Sequence, residues 1–280
     1  MAVNPKTPSV SERIVRKSKE FWPIKQLLRS LSDSYESKRN PHNLILTPPA
    51  LLGWSFIIIT NGKNIESLDT LVSSIQCELQ GQPYEILLVG PSSLAHQYTD
   101  PSVHILPYKE LNIISGWITR KKNLGVEAAR YENVVICHDY LVLGEGWKKG
   151  FDAFGNNFNV CINVVLNLDG SRHRDWITLD YPGIGAGLLP YHVDCSQYQY
   201  ISGAYMVVKR NFYLAHPLDE KLRWGEGEDV EWSKDVRRYT KFSFNPYSTV
   251  TYSKQKSGIY GDWAENTKKL QELFSKTKHA

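Results

Sequence analysis

Trp54-Ser55-Phe56-Ile57-Ile58-Ile59-Thr60 is followed by Asn61-Gly62-Lys63-Asn64 and then by Ile65 to Gln80. The first stretch is a short apolar run rich in β-branched and aromatic residues, which predicts a buried strand. The second has turn chemistry, and the third predicts a helix. The same order recurs downstream. Tyr84-Glu85-Ile86-Leu87-Leu88-Val89 predicts a second strand closed by Gly90-Pro91-Ser92-Ser93, and His104-Ile105-Leu106 a third. Lys121 to Arg130 predicts a helix, and Val134-Val135-Ile136-Cys137 a fourth strand ending at His138-Asp139-Tyr140. Strands alternating with helices imply an α/β fold with a mainly parallel central sheet flanked by helices. Ligands of such sheets gather beyond the carboxyl ends of the strands. Thr60-Asn61, Gly90-Pro91 and His138-Asp139 all fall at such ends.

The second half is less regular. Val160 to Leu166 predicts a strand, 167–196 a long loop, and Tyr200 to Val208 a strand with Ser202-Gly203-Ala204 inside it. A short strand region at 241–253 and a helix at 263–275 follow. Upstream, residues 1–9 read as disordered. Residues 10–37 carry apolar positions at helical spacing, with Pro23 expected to break or kink the run. The expected organisation is a basic helical extension over 1–50 and one catalytic-type domain over 51–280.

Composition narrows the function classes. The chain has 280 residues, 41% of them hydrophobic and 22% charged, as in ordinary globular proteins. No apolar run approaches the roughly 20 residues that span a bilayer, and the N-terminus lacks an apolar signal segment. The four cysteines are widely spaced with no CxxC pair, which fits a reducing compartment and a cytoplasmic location. The net charge is +4, yet residues 1–40 alone hold nine Lys or Arg against four acids. The remainder is close to neutral, so no general nucleic-acid footprint exists. The basic end reads either as a solvated helical face or as a peripheral contact, through residues 10–40, with a membrane or a protein. The oligomeric state is open.

Several short constellations carry chemistry. In Trp224-Gly225-Glu226-Gly227-Glu228-Asp229-Val230-Glu231-Trp232, the acids open a predicted helix and fit plain capping. They equally fit a sugar site, in which an aromatic ring packs on a sugar face and a carboxylate takes a hydroxyl proton. His138-Asp139 reads as a structural strand end or as a hard-ligand site for Mg²⁺ or Mn²⁺ bridging to phosphate. Arg120, Lys121 and Lys122 read as a solvated basic turn or as a pyrophosphate contact. The polar loop from Asn167 to Trp176 reads as an acceptor lid or a surface excursion.

Taken in order, the strand ending Thr60-Asn61, Lys122-Asn123-x-Gly125, His138-Asp139-Tyr140, Ser202-Gly203-Ala204 and Gly227-Glu228-Asp229 resemble the inverting glycosyltransferases of family 2, with the GT-A fold. Residues 224–231 also resemble the acidic motif of the β-1,4-galactosyltransferase group. The resemblance covers roughly residues 52–255. It implies Asp229 as catalytic base with Glu228 beside it binding a sugar. It implies Asp139 and His138 at a Mn²⁺ or Mg²⁺ ion, with Tyr140 where a second acid is usual. Thr60, Asn61, Gly90 and Pro91 would border the nucleotide, although an Asp is common where Gly90 stands. Lys122 and Asn123 would lie near the nucleotide, and Gly203 and Ala204 along the sugar pocket. Trp224, Gly227 and Trp176 are the expected acceptor-side residues. The implied ligands are a nucleotide-sugar donor, most simply a UDP-sugar, and a glycan or glycoconjugate acceptor. The alternatives are a catalytically decayed module of the same fold, favoured by Tyr140 and Gly90, and a nucleotidyltransferase. The latter is disfavoured by the single Gly and single Lys in the loop after the first strand.

Overall fold

The computed structural model describes residues 22–40, 50–111, 116–194, 196–254 and 263–276. The chain divides into two compact units, Met1–Pro41 with Lys109–Gly116, and His42–Tyr108 with Trp117–Ala280. The first holds helix α1 (Trp22–Arg39). Pro23 lies in its first turn rather than breaking it, because the N–H that proline lacks has no intrahelical partner there anyway. Ser32, Glu36 and Asn40 recur at four-residue spacing and are buried. The Ser32 hydroxyl donates to Glu36 Oε1 at 3.0 Å, and the Leu111 N–H reaches the same oxygen at 3.2 Å. The Lys109 N–H donates to Asn40 Oδ1 at 3.0 Å. The helix therefore buries polar groups, while Ile24, Leu27 and Leu31 are exposed. The expectations for residues 1–21 lie outside the described residues.

The second unit runs β1 (Leu51–Ile59), α2 (Ile65–Glu78), β2 (Tyr84–Gly90), β3 (Val103–Pro107), α3 (Ile118–Ala128), β4 (Tyr131–His138), β5 (Leu141–Leu143) and α4 (Trp147–Phe154). It continues with β6 (Val160–Leu166), β7 (Ile177–Tyr181), β8 (Gly185–Leu188), β9 (Gln199–Tyr200), β10 (Tyr205–Lys209), α5 (Arg210–Ala215), α6 (Glu228–Val236), β11 (Phe242–Tyr252) and α7 (Trp263–Lys276). Among the described residues, eight strands form one sheet in the order β3-β2-β1-β4-β10-β6-β11-β5, and β8-β7-β9 form a second. Strand β10 runs against β4 and β6, and β5 against β11; the other pairs in the large sheet are parallel. The expected α/β architecture with a mainly parallel sheet is the one observed. Among the described residues, no helix is long and apolar enough to cross a membrane.

The topology places one edge of the sheet at the centre of interest. The carboxyl ends of β1, β2, β4, β6 and β11 share it, and so does the start of the reversed strand β10, because Tyr205 pairs with Cys137 near the end of β4. Strands β1 and β4 are buried on both faces, as covered parallel strands require. Helix α3 lies close over β1. A Cβ on Gly125 would come within 2.2 Å of Ile57 Cγ2.

Three sequence expectations change. The segment holding Ser202-Gly203-Ala204 is not strand: residues 201–204 form a turn between β9 and β10. The long loop of 167–196 contains β7 and β8, whose sheet is closed by β9. Helix α4, not anticipated, starts at the left-handed Gly146 and is capped from a distance. The carboxylate of Glu78 accepts the N–H groups of Gly146 and Lys148 at 2.8 and 3.1 Å. Such a cap has no local signature, which is why the sequence hides the helix.

The close approach at Gly125 yields a test. Alanine there gains up to about 1 kcal/mol of helix propensity. It also pushes a methyl into the stiff β-branched stem of Ile57, an overpacking that costs about 1–3 kcal/mol. Gly125→Ala is expected to lower the denaturant midpoint; an unchanged or higher midpoint would show that α3 does not sit on β1 at this distance.

Candidate active site

Thr60, the residue just beyond β1, is the hub of one half of the site. It is buried, and its hydroxyl donates to Asp139 Oδ2 at 2.6 Å. Its carbonyl accepts the Lys121 ammonium at 3.0 Å, and its Oγ1 accepts the Gly62 N–H at 3.0 Å. Burial pushes the Asp139 carboxyl above its ordinary range, against the Thr60 hydrogen bond and the positive charges of Lys254 and Lys121. This carboxylate therefore draws on nearby cations to stay charged.

The other half is built around Gly203. Its N–H donates to Asp229 Oδ2 at 2.7 Å, and its carbonyl accepts the Lys122 ammonium at 2.8 Å. The same ammonium lies 3.5 Å from Glu228 Oε1, and Lys122 is fully buried. A Cβ at 203 would stand 2.9 Å from Glu228 Oε1, 3.0 Å from Asp229 Cβ and 3.1 Å from Lys122 Nζ, so any side chain there displaces the groups that form this half of the site. Glycine is thus favoured here by close approach rather than by strand geometry. Glu228 and Asp229 open helix α6, whose preceding Gly227 takes the left-handed conformation at φ 77°. Burial raises the Glu228 carboxyl above its ordinary range, and the Asp229 charge adds to this while Lys122 opposes it. Asp229 Oδ1 accepts the Val230 N–H at 2.9 Å, so each of its oxygens takes one backbone donor.

Aromatic rings join the halves. Tyr140 stacks on Tyr252 at 5.7 Å, and Tyr252 meets His173 edge-on at 4.8 Å. Burial raises both phenols, Tyr252 to about 12. Tyr140 also feels the charges of Asp139 and Glu228, and Tyr252 those of Arg174 and Asp229. Lys254 lies over the Tyr140 ring at 4.5 Å. Arg174, which takes a positive φ of 38°, sits over the Trp263 ring at 5.0 Å.

These contacts sort the expected residues. Thr60 and Asp139 are joined by a hydrogen bond, and Lys122, Gly203, Glu228 and Asp229 form a second bonded group. His138 packs against Tyr140 at 5.2 Å and donates its N–H to the Ala204 carbonyl at 3.1 Å. Asn61 is exposed and its Oδ1 caps the turn at the Lys63 N–H. Gly90 has no room for the acid expected there: a Cβ would be 2.9 Å from the Thr60 carbonyl oxygen. Pro91 packs beside Gly62, where an added Cβ would meet its Cγ at 2.7 Å. Trp224 is 61% exposed and free to meet a ligand, whereas Trp232 is core and donates to the His216 carbonyl at 2.7 Å. Glu226 accepts the Arg223 N–H, and Glu231 pairs with Lys234, so both are structural or peripheral.

Two expectations need correction. Trp176 is not an acceptor contact: it is buried, packs on Phe244 at 5.6 Å and donates to the Val193 carbonyl at 2.9 Å. The basic stretch Arg120, Lys121 and Lys122 is not a solvated turn: these residues and Asn123 are buried on α3. The Asn123 amide holds the segment at 218–220, donating to the Leu218 carbonyl and accepting from the Leu218 N–H and the Tyr213 hydroxyl. Sequence reading missed Tyr252 and Lys254, which carry no motif and reach the site through β11; Arg174 comes from the polar loop 167–176 that the sequence singles out.

The donor set for the expected cation is thin. Among the described residues, no group of three His, Cys, Asp or Glu side chains is placed to hold a metal ion. Asp139 offers one carboxylate, already bonded to Thr60. An ion there fits only with oxygens from a bound diphosphate completing its shell, a mode common for Mg²⁺.

No family model and no curated protein matches the sequence. Solved structures do. A crystal structure of GalNAc-T7 with UDP, GalNAc and Mn²⁺ superposes with a TM-score of 0.55 at 14% identity, covering 80% of this chain and 48% of that one. The chain has the GT-A-type fold. It spans about half the length of that neighbour. A structure of S. aureus TarS 1–349 matches with a TM-score of 0.48 at 14% identity, over 71% of this chain and 60% of that one.

The Lys122 contact makes a prediction with a pH signature. Lys122→Met leaves the Glu228 carboxylate and the Gly203 carbonyl without their buried partner, a loss of about 3–5 kcal/mol. Glu228 binds its proton more tightly folded than unfolded, so its contribution to stability falls as pH rises through its folded value. Removing the opposing ammonium deepens that fall. The gap between wild type and variant, read from denaturant unfolding, is expected to widen from mildly acid to neutral pH. A gap independent of pH would mean that the ammonium does not act on Glu228.

Proposed function

We propose that this chain is a glycosyltransferase that moves a sugar from a nucleoside-diphosphate donor to an acceptor hydroxyl with inversion. The observation that carries the reading is the acidic pair at the start of α6, held against the Gly203 turn by one N–H and one buried ammonium, at the edge of the sheet where Asp139 also lies. Ligands of open α/β sheets bind at this edge. The GT-A-type fold adds support, and the UDP in the GalNAc-T7 structure makes a UDP-sugar the first donor to test.

In this reading Asp229 is the base. Its two oxygens each accept one N–H, and a carboxylate has lone pairs to spare for a third partner. It takes the proton of the acceptor hydroxyl as that oxygen attacks the anomeric carbon from the face opposite the leaving group. The bond from the anomeric carbon to the phosphate oxygen breaks, and the nucleoside diphosphate departs with the electron pair. Glu228, fixed by Lys122, binds a sugar hydroxyl beside the reacting centre. Gly203 and Ala204 border the donor sugar, and Thr60, Asn61, Gly90 and Pro91 the nucleotide. Trp224, exposed on its glycine-flanked turn, packs on the acceptor, a glycan or glycoconjugate, with Gly227 granting the turn its left-handed step. Asp139, with His138 at its side, would share a Mn²⁺ or Mg²⁺ ion with the donor diphosphate, and that ion supplies positive charge to the leaving group.

Asp229→Asn tests the base. The amide oxygen still accepts the Gly203 N–H, while its NH2 group leaves the Val230 N–H without its acceptor, so the ligand-free melting temperature is measured alongside. Transfer from a UDP-sugar is expected to fall by about 10²–10⁴-fold. UDP affinity, measured by calorimetry, is expected to stay within about twofold, as for a loss of an interaction made only in the transition state. Equal loss of UDP binding would sink the assignment.

A further inference from the structure

Lys254 belongs to no sequence motif, yet it is held beside Asp139 by the sheet itself. Strand β11 pairs with β5 so that Tyr252 faces Leu141. One residue on, the Ser253 N–H donates to the Tyr140 carbonyl at 2.9 Å, extending the ladder past the end of β11. The Ser253 hydroxyl is tied to Ser67 of α2 at 3.2 Å. The next side chain, Lys254, lies with its ammonium 4.5 Å from the centre of the Tyr140 ring. That ring is itself fixed by Tyr252 and His138. A cation over an aromatic face is held by the ring quadrupole without losing its charge or its donors to a carboxylate.

The surroundings call for an anion. Lys254 and Lys121 both act on the Asp139 carboxylate. Lys121 is buried and committed to the Thr60 carbonyl and the Tyr108 ring. Lys254 is exposed at the rim. One carboxylate thus faces two ammonium groups at the strand edge. A metal ion held by a single carboxylate leaves much of a diphosphate's charge uncompensated.

Resting on the transferase reading, we propose that Lys254, propped on Tyr140, is a binding residue for the diphosphate of the nucleotide donor and of the leaving nucleoside diphosphate. The aromatic side chain after Asp139 is then a support for a fixed cation rather than a lost ligand. The ammonium takes one or two phosphate oxygens by charge-assisted hydrogen bonds, and the ring holds its position between turnovers.

The test is titration calorimetry of the full chain, in buffer with Mn²⁺, using UDP, GDP, CDP, dTDP and ADP, and then the nucleoside of whichever diphosphate binds. Lys254→Ala is expected to weaken the diphosphate by about tenfold, to leave the nucleoside within twofold and to lower the ligand-free melting temperature by no more than about 4 °C. Lys254→Arg is expected to restore most of the loss, and Tyr140→Leu to reproduce part of it. Diphosphate binding equal in wild type and Lys254→Ala overturns the inference and leaves the transferase reading standing. Loss of diphosphate and nucleoside alike also overturns it, since the residue would then shape the pocket rather than bind phosphate. If wild type binds none of the diphosphates, both fall together.

Discussion

The buried ammonium of Lys122 is the constraint on which the acidic end of the site depends. It is fully shielded, bonded to the Gly203 carbonyl and set against Glu228, on a helix packed tightly over β1. A shielded charge of this kind is tolerable only when its partners are placed well. Here the partners come from the Gly203 turn and the start of α6, both far from α3 in sequence. The ammonium therefore ties the sheet-covering helix, the turn before β10 and the acidic helix start into one arrangement. Gly203 completes it by giving its N–H to Asp229 and its carbonyl to Lys122.

The second half of the site is held by a different device. Thr60 ties Asp139 to the end of β1 and takes Lys121 on its carbonyl. Tyr140 feels the charges of both Asp139 and Glu228, and Tyr252, stacked on it, feels those of Arg174 and Asp229. Asp139 and Glu228 thus each have lysines acting on them, Lys254 and Lys121 on the first and Lys122 on the second. Burial raises the carboxyls of Asp139 and Glu228, and the lysines oppose that rise.

Much of the plan was legible because it rests on local patterns. The apolar runs at 54–60, 84–89 and 134–137 became β1, β2 and β4, since covered parallel strands read as continuous hydrophobic stretches. The helix at 65–80, the C-terminal helix and the acidic helix start were likewise local signals. Elements whose cause is distant were hidden. Helix α4 takes its cap from Glu78, the small sheet closes through pairing of β7 with β9, and Trp176 is core because Val193 and Phe244 come to it. The basic stretch at 120–122 misled for the same reason: three charged residues read as solvated unless their partners, Glu220, Thr60, Gly203 and Glu228, are seen.

By itself, the sequence determined the alternation of strands and helices from β1 to β4, the strand ends at which polar residues gather, and the acidic pair at 228–229. Each follows from hydrophobic periodicity or turn chemistry over a few residues. Only the tertiary structure decided that β10 runs backwards and so delivers Gly203 to the same edge as Thr60 and Asp139. It alone decided that Lys122 points under the acids, that Gly90 has no space for a side chain, and that Lys254 rests on Tyr140. These are outcomes of strand direction, close approach and long-range pairing, and none of them is encoded within a window of neighbouring residues.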